Sequence, residues 1–570
     1  MSFRVLCCIA GLILPLASIR ADKPPAPPVV IDLLLVNGKI WTGDSTKPEA
    51  NVIAVNQGRI LFVKTNAEME LYQDDLKKLT IRRTVDLGGR RVVPGFYDAH
   101  VHFLSSGQLL GQVMLKDAKD EEEFGRRLRE QDKKLPRGRW MQGGDWDHDR
   151  ALNGKLPTAK FIDQFVADRP VFLPRYDGHM AIANTKALQL AGINDKTPEP
   201  AGGVIYKDEN GKPTGLLRDN AMVLVYRLIP PPDDIEIAEA VQAAMAEARR
   251  VGVTSVQDLD GSDAVTRRKL FQLYQRLARE EKLTLRIDFR WPLAQWKDVA
   301  NLGVEANFGN DYVRIGGVKG FVDGSLGSST AKFFEPFVNE PNSTGVWVTP
   351  RSKLLEYILA ADKAGLSVAV HAIGDQANAE LLDIFAEVAQ KNGPRDRRFR
   401  IEHAQHLRPQ EFKRFKELNV IASMQPYHAI DDGRWAEGRI GAKRCATSYA
   451  FRSLLDAGAT LAFGSDWSVA PLSPILGVDA AVNRRTLDGK HPEGWFPEQK
   501  ITVEESLRAY TYGSACAGFQ EHERGTLEPG KFADIVVLSR DILDHAERDN
   551  IAKTEVMMTI VGGKIVHEKK

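Results

Sequence analysis

The chain has 570 residues, with 77 basic and 76 acidic side chains and a formal net charge of +1. This length exceeds the needs of one small core, so a barrel domain with a companion domain is the expected organisation. Because the charges nearly cancel and no long basic run occurs, the composition argues against a nucleic-acid partner and favours a small-molecule substrate.

The N-terminus predicts an export signal over residues 1–21. Arg4 precedes an apolar stretch from Val5 to Ile19, and a Pro-rich linker over residues 22–30 follows. This order is typical of a Sec signal peptide, and the stretch is shorter than the roughly 20 residues that a membrane span needs. We therefore expect a periplasmic or extracellular protein with no membrane association after cleavage. Association of identical chains into a homo-oligomer stays open.

Four cysteines occur in the chain. Cys7 and Cys8 lie within the predicted signal and would leave with it. Cys445 and Cys516 remain, and two cysteines in so long a chain do not make a disulfide framework. A single pair and two free thiols are both compatible with the sequence.

Both ends of the chain are rich in β-forming residues. The β-rich runs contain Asn-Gly, Gln-Gly and Gly-Gly turns, and they are Asp32–Trp41, Val52–Val63, Gly525–Leu538 and Val556–Val566. Neither end has enough strands to close a core by itself. Residues 31–91 and 505–570 are therefore expected to build one β-sandwich.

The middle of the chain, residues 92–504, alternates short apolar strands with helical patterns, which is typical of βα units around a parallel sheet. The candidate strands are Val92–His102, Val253–Asp258, Leu285–Phe289, Ile315–Val322, Ser367–His371, Arg400–His403, Val420–Gln425 and Leu461–Asp466. Eight such strands predict an α/β fold with a TIM (β/α)8 barrel. The interval of about residues 103–250 is too long for one connection and predicts an insertion over the barrel mouth.

Six titratable residues fall at or just past the ends of these strands: His100, His102, Lys319, His371, His403 and Asp466. In a barrel the C-terminal strand ends converge on one face, so these side chains are expected to share a pocket. His100 and His102 are two residues apart on a strand and can face the same metal ion. Imidazole nitrogen suits zinc and related metals, and catalytic sites keep one position open for water.

Two of these residues have alternative interpretations. Asp466 is interpreted as a metal ligand that also takes the proton from the attacking water, whereas the alternative is a helix N-cap. Lys319 would be neutral beside metal ions, and a neutral amine can add carbon dioxide to give a carbamate that bridges two metals. The alternative is a lysine paired with Asp323 or with a substrate carboxylate.

These motifs, taken in order, make the chain similar to the amidohydrolase superfamily from about Asp32 to the C-terminus. The resemblance is to the amidohydrolase-3 group, which includes N-substituted formamide deformylases. It rests on Pro94–His102, Gly144–Asp147, Asp177–His179, Lys319 with Asp323–Gly327, Val370–Asp375, Arg400–Gln405 and Gly464–Asp466. The resemblance implies a distorted TIM barrel, a flanking β-sandwich and a centre of one or two divalent metals, usually zinc.

The same resemblance implies a role for each candidate ligand. His100 and His102 would bind the more buried metal with Asp466, carboxylated Lys319 would bridge, and His371 and His403 would hold the second metal. The implied activity is metal-dependent hydrolysis of an amide-type, non-peptide C–N bond. Lactone, urea-like or deaminase substrates suit the same site. A catalytically inactive scaffold is the alternative from another class, and the complete ligand set counts against it.

Six further residues are candidates for substrate binding: Trp146, Asp147, His179, Asp323, His428 and Arg439. His179 or His428 would stabilise the oxyanion, with ordinary hydrogen bonding at the barrel mouth as the alternative. Arg439 would reach a substrate carboxylate, and aromatic residues such as Trp146 would favour an apolar substituent, unless they only pack the insertion. Asp145 stands between Gly144 and Trp146, a departure from the family's commoner Gly-Trp-Asp.

Overall fold

The computed structural model describes residues 30–71, 79–175, 179–261 and 263–569. The predicted signal peptide, residues 22–29 of the linker and Tyr176–Gly178 lie outside the described residues. Within the described part of the chain, no helix is both long enough and apolar enough to cross a membrane.

Eight parallel strands form a nearly closed barrel, which confirms the predicted fold class. They are β1 (Phe96–Val101), β2 (Val253–Asp258), β3 (Arg286–Pro292), β4 (Val313–Phe321), β5 (Val368–Ala372), β6 (Arg400–His403), β7 (Ile421–Met424) and β8 (Thr460–Phe463). Each strand pairs with the next one in sequence, and Phe308–Gly309 adds a short antiparallel strand beside β4. A parallel bridge between Val101 and Trp467 brings the two ends of the sheet together.

The segment Val92–His102, expected to be one barrel strand, is divided at Gly95. Arg91–Pro94 pairs with Ile535–Leu538 in the outer sheet, and only the residues from Phe96 onward enter the barrel. A Cβ atom at Gly95 would lie 2.3 Å from the Thr254 hydroxyl, so a side chain has no room where the chain passes between the two sheets. This single apolar run therefore contributes one strand to the sandwich and one strand to the barrel.

The flanking sandwich is built from both chain ends, as predicted. Its two sheets, in strand order, are Arg59–Lys64, Val52–Asn56, Leu33–Val36 and Thr84–Asp86, and Lys564–Glu568, Val556–Val561, Ile535–Leu538, Arg91–Pro94, Lys39–Trp41 and Glu49–Ala50. Val30–Ile31 and Thr80–Ile81 form a separate pair. Ile53 and Val55 share one apolar core with Ile535 and Ile560, so the two ends stabilise each other.

Residues 503–517 do not extend the sandwich, although part of this range was expected there. They form the helices Val503–Arg508 and Ser514–Ala517, joined by a π-helical turn over Ala509–Gly513. Ser514 donates its hydroxyl to the carbonyl of Phe463 at 3.1 Å, so this segment lies against β8 of the barrel.

The insertion after β1 has its own apolar cores. It contains a four-stranded antiparallel sheet in the order Phe172–Pro174, Met180–Ala183, Pro213–Asp219 and Gly203–Lys207, with Val113–Met114 paired to Gly143–Gly144. Its helices are Glu121–Lys134, His148–Ala151, Ala159–Asp163, Thr185–Ala191, Asn220–Met222 and Val223–Tyr226.

The helix Asp234–Arg250 returns the chain from the insertion to the barrel. Asp233 accepts hydrogen bonds from the amides of Ile235 and Glu236, and the Glu236 side chain completes a capping box. Its buried face carries Ile237, Ala240, Val241, Ala244, Met245 and Ala248, the spacing of one helix face. It packs on Phe103–Leu110, where a Cβ atom at Gly107 would lie 2.1 Å from the carbonyl oxygen of Ala240.

The remaining helices surround the barrel and the sandwich. They are Asn66–Leu71, Ala264–Arg279, Leu293–Gln295, Trp296–Ala300, Arg351–Lys363, Asp375–Asn392, Pro409–Glu411, Phe412–Glu417, Pro426–Asp432, Ala436–Ile440, Ala442–Cys445, Phe451–Asp456, Pro474–Asn483, Pro497–Gln499 and His545–Lys553. Cys445, which is buried, and Cys516 are both free thiols.

A buried ion pair joins the barrel to the sandwich and gives a stability prediction. Arg286 on β3 contacts Asp534 at 2.8 Å, and both side chains are almost fully buried. Asp534→Asn leaves the guanidinium without its counter-charge, so we expect a loss of about 3 kcal/mol in the free energy of unfolding. Urea unfolding measures it. The control Glu281→Gln, which breaks the exposed pair with Lys564, should cost under about 1 kcal/mol, and equal losses would contradict the assignment.

Candidate metal centre

The first candidate ligand group joins the ends of β1 and β8. The Asp466 carboxylate oxygen Oδ1 lies 3.1 Å from Nε2 of His102 and 3.5 Å from Nε2 of His100. One ligand atom from each of the three residues lies within 4.8 Å of the others, a spacing that a single metal ion can occupy. The sequence predicted that these three residues share a pocket, because β1 and β8 end at the same face of the barrel.

A second group shares Asp466 and adds His403 and His428, again with ligand atoms within 4.8 Å of one another. The rings of His403 and His428 are stacked at 6.4 Å. Nε2 of His428 is buried and has no hydrogen-bond partner among the described residues. From the sequence, His428 was predicted to stabilise the oxyanion or to form ordinary hydrogen bonds at the barrel mouth, whereas its position makes it a candidate metal ligand.

His371 and Lys319 complete the cluster. The ring centroid of His371 lies 4.5 Å from that of His403, and Nε2 of His371 is 3.0 Å from the carbonyl oxygen of Gly324. Lys319 is 5% exposed, so its amine is enclosed by the barrel. Burial lowers the pKa of Lys319 to about 8, and burial together with the Lys319 charge lowers the pKa values of His100 and His371 to about 4.

The backbone around the ligands is held in unusual conformations. His403 has φ 74°, Ala404 φ 43° and Asp466 φ 56°, values that side chains with a Cβ rarely adopt. Asp98, which is fully buried, accepts hydrogen bonds from the amides of His100 and Ser465 at 3.0 Å each. Strained backbone of this kind persists where the surrounding structure fixes it and is concentrated at functional sites.

Two residues that the sequence analysis did not single out border the cluster. Glu402 is fully buried, and its Oε2 lies 2.7 Å from Nδ1 of His100. Phe321 is 42% exposed, and its ring lies 4.8 Å from the Lys319 amine and 5.4 Å from the His371 ring. Phe321 lies two residues after Lys319, so strand alternation was an available signal for its position. Glu402 is adjacent to His403 on β6, and alternation gives no indication of its contact with His100.

The insertion residues proposed for substrate binding have other contacts. Trp146 is fully buried in the insertion core and donates its indole N–H to the carbonyl of Leu173 at 2.8 Å. Asp147 caps the short helix His148–Ala151 by accepting from the Asp149 amide. The side chain of His179 is 77% exposed and lies 3.0 Å from Asp219. These contacts organise the insertion.

Asp323 follows β4, and Arg439 lies on the helix Ala436–Ile440 after β7. Asp323 is 1% exposed and accepts hydrogen bonds from the amides of Lys332, Ile373 and Gly374, so it orders the loops after β4 and β5. Burial raises the pKa of Asp323 to about 7. Arg439 donates to the Ser329 hydroxyl at 2.7 Å and remains partly exposed.

The chemistry of the donor set fits a first-row divalent ion. Five imidazoles and the Asp466 carboxylate provide nitrogen and oxygen donors, the combination that zinc and its neighbours prefer over calcium or magnesium. Asp147, His148 and Asp149 also lie within 4.8 Å of one another, but on the insertion and with Asp149 exposed.

The different environments of His428 and His179 give a test of the ligand assignment. Because His428 lies within reach of His403 and Asp466, His428→Ala should weaken metal binding at least about tenfold. His179→Ala, the matched control in the insertion, should leave binding unchanged. Titration with a competing chromophoric chelator measures both variants, and equal affinities would remove His428 from the ligand set.

The amidohydrolase family model matches residues 83–567. Protein LONG AFTER FAR-RED 3 of Arabidopsis thaliana is 39% identical over 96% of this chain and 93% of its own length. Putative amidohydrolase YtcJ of Bacillus subtilis is 32% identical, with 85% and 90% covered, and N-substituted formamide deformylase of Arthrobacter pascens is 27% identical, with 94% and 98% covered. An uncharacterized metal-dependent hydrolase from Pyrococcus furiosus superposes with a TM-score of 0.73 at 31% identity, covering 90% of this chain and all of that one. The chain therefore belongs to the amidohydrolase family.

Proposed function

We propose that this protein hydrolyses an amide-type, non-peptide C–N bond of a small molecule at a centre of one or two zinc-like ions. The observation that carries the proposal is the position of Asp466, whose carboxylate is common to both candidate ligand groups. A single carboxylate between two sets of imidazoles can hold an ion and accept a proton from water. The Arthrobacter relative, a formamide deformylase by name, supports the same bond type.

In this proposal His100, His102 and Asp466 hold one ion, and His371, His403 and His428 are available for a second. When bound, the metal supplies Lewis-acid chemistry, activating water and polarising a carbonyl group. Asp466 accepts a proton on its carboxylate and passes it to the leaving nitrogen. Phe321, exposed beside Lys319 and His371, provides apolar surface for the substituent of the substrate.

We propose that the neutral amine of Lys319 adds carbon dioxide and loses a proton, and that the resulting carbamate would supply oxygen ligands to both ions. The support is its position: the amine is buried inside the barrel and its charge acts on Glu402 and Asp466. The same charge lowers the pKa values of the neighbouring imidazoles, so an ammonium group opposes a cation at this place.

We also propose export through residues 1–21, based on the sequence pattern. N-terminal sequencing of protein recovered from the periplasm or the medium would identify the cleavage site. A mature protein that keeps Met1 would contradict the proposal.

A substrate panel tests the reaction class. Purified metal-loaded protein is assayed against N-substituted formamides, N-acyl amino acids, cyclic imides and lactones. Turnover of the amide classes, abolished by chelators, supports the proposal. Turnover of lactones alone favours the alternative of a non-amide hydrolase. Failure of the protein to bind metal, together with no turnover of any substrate, favours an inactive scaffold.

The role of Asp466 predicts a separation of binding from catalysis. Asp466→Asn keeps the imidazole donors but loses the proton acceptor, so kcat should fall by about 100- to 10,000-fold while most of the metal is retained. Metal analysis and steady-state kinetics on the same preparation make the comparison. Asp219→Asn, the partner of His179 in the insertion, is the matched control and should keep kcat. A near-normal kcat in Asp466→Asn would exclude the proton-transfer role.

The carbamate predicts that Lys319→Ala loses the second ion together with most activity. Acetate or propionate, which can fill the vacated space with a carboxylate, should restore part of both. Metal content and kcat are measured across a titration of the acid. Unmodified Lys319 in experimental density beside two fully occupied metals would contradict the bridge.

A further inference from the structure

A chain of buried polar groups crosses the barrel beneath the candidate metal centre. Glu402 on β6 contacts Nδ1 of His100 on β1 at 2.7 Å, although these two strands are not neighbours in the sheet. The same oxygen, Oε2, accepts a hydrogen bond from the Ser423 hydroxyl at 2.8 Å. The side chains that form these contacts are at most 1% exposed, so water does not compete for the hydrogen bonds.

The second carboxylate oxygen of Glu402, Oε1, forms an ion pair with Arg400, whose Nη2 lies 2.7 Å away, but it accepts no hydrogen bond from the described residues. Arg400 is itself fixed, because the same nitrogen donates to the carbonyl of Ala99 at 2.8 Å and another guanidinium nitrogen donates to Gln257. A buried arginine with several acceptors keeps its planar group in one orientation. Glu402 is therefore positioned by the charge of Arg400 on one oxygen and by hydrogen bonds with His100 and Ser423 on the other.

A carboxylate accepts hydrogen bonds and donates none, so Nδ1 of His100 carries the proton and Nε2 is left with its lone pair. Nε2 is the atom that lies 3.5 Å from Asp466 in the first ligand group. The other imidazoles have weaker partners: Nδ1 of His403 faces the neutral amide oxygen of Gln425 at 2.7 Å, and His371 faces the Gly324 carbonyl. Among these three histidines, His100 has the shortest contact with a carboxylate, since Nε2 of His371 lies 3.6 Å from Oδ1 of Asp323.

We propose that Glu402 is a positioning residue for the metal centre. Through its contacts with Arg400 and His100, it keeps the His100 ring in the tautomer and orientation that present Nε2 to the ion. The inference deepens the proposed function, since it concerns how the same site acquires its metal. A carboxylate behind a ligating imidazole fixes the ring and raises its basicity, and loss of such a partner costs 10- to 100-fold in metal affinity.

The test compares two buried glutamates that each contact arginine. Glu402→Gln keeps the size of the side chain, but the Arg400 guanidinium favours the amide oxygen at the Oε1 position. The amide N–H2 then faces Nδ1 of His100 and forces the proton onto Nε2. We expect the zinc dissociation constant to rise about 10- to 100-fold. Glu411→Gln is the matched control, because Glu411 is 1% exposed and contacts Arg414 at 2.8 Å outside the site, and its zinc affinity should not change.

Zinc affinity is measured by chelator competition, and thermal unfolding of the metal-free variants is recorded alongside. In proton NMR of the zinc-loaded protein, the Nδ1 proton of His100 should appear far downfield, vanish in His100→Asn and in Glu402→Gln, and persist in Glu411→Gln. A purely structural role would lower the unfolding temperature without affecting this proton.

An unchanged zinc dissociation constant or a persistent Nδ1 resonance in Glu402→Gln would overturn the inference. If that variant does not fold, Ser423→Ala removes one hydrogen bond from Glu402 and should raise the dissociation constant about threefold or more, and no change would overturn it equally. None of these measurements needs a substrate. Zinc binding with no amide hydrolysis would thus reject the proposed function while leaving this inference to its own result.

Discussion

Closure of the barrel between β1 and β8 is the contact on which the candidate centre depends. The Asp466 amide donates to the His100 carbonyl at 2.7 Å, and the His102 amide donates to the Trp467 carbonyl at 2.9 Å. These backbone bonds bring residues more than 360 positions apart within reach of one ion. The buried carboxylate of Asp98 reinforces the closure from inside, and its burial raises its pKa to about 7.

The closure has an energetic cost that the rest of the fold must offset. A buried carboxylate and positive φ angles at His403 and Asp466 each destabilise the native state by roughly 1–3 kcal/mol. The large apolar core around the barrel and the sandwich shared by both chain ends supply the compensating stability. Well-packed surroundings keep the ligand side chains in place before an ion binds, and a preorganised site requires such support.

The sequence predicted those features that follow from one strand at a time. A histidine or aspartate at the end of an apolar run indicates its face and its end of the barrel, so the shared location of His100, His371 and Asp466 could be predicted without distances. Features that depend on contact between strands were not found. His428 follows β7 on a helix, and the contact of Glu402 with His100 spans the barrel, so neither relation has a signature in sequence. Gly95 divides an apparently continuous run because of the position of Thr254, which is 159 residues away in the sequence.

Charge balance in the barrel interior links the buried network to the metal chemistry. Two carboxylates, Glu402 and Asp466, act to raise the pKa of Lys319, and two guanidinium groups, Arg400 and Arg290, act with burial to lower it. The formal charges of these four groups cancel, so the net charge of the cluster is that of Lys319 itself. An ammonium group makes the cluster positive and opposes a divalent cation, whereas a carbamate makes it negative and attracts one. Arg290 and Arg400 are buried and cannot lose their charge readily, so the lysine is the group through which this interior can adapt to an ion. Arg400, which pairs with Glu402, and Arg290 thus offset the two carboxylates and leave the group at position 319 to set the sign of the net charge.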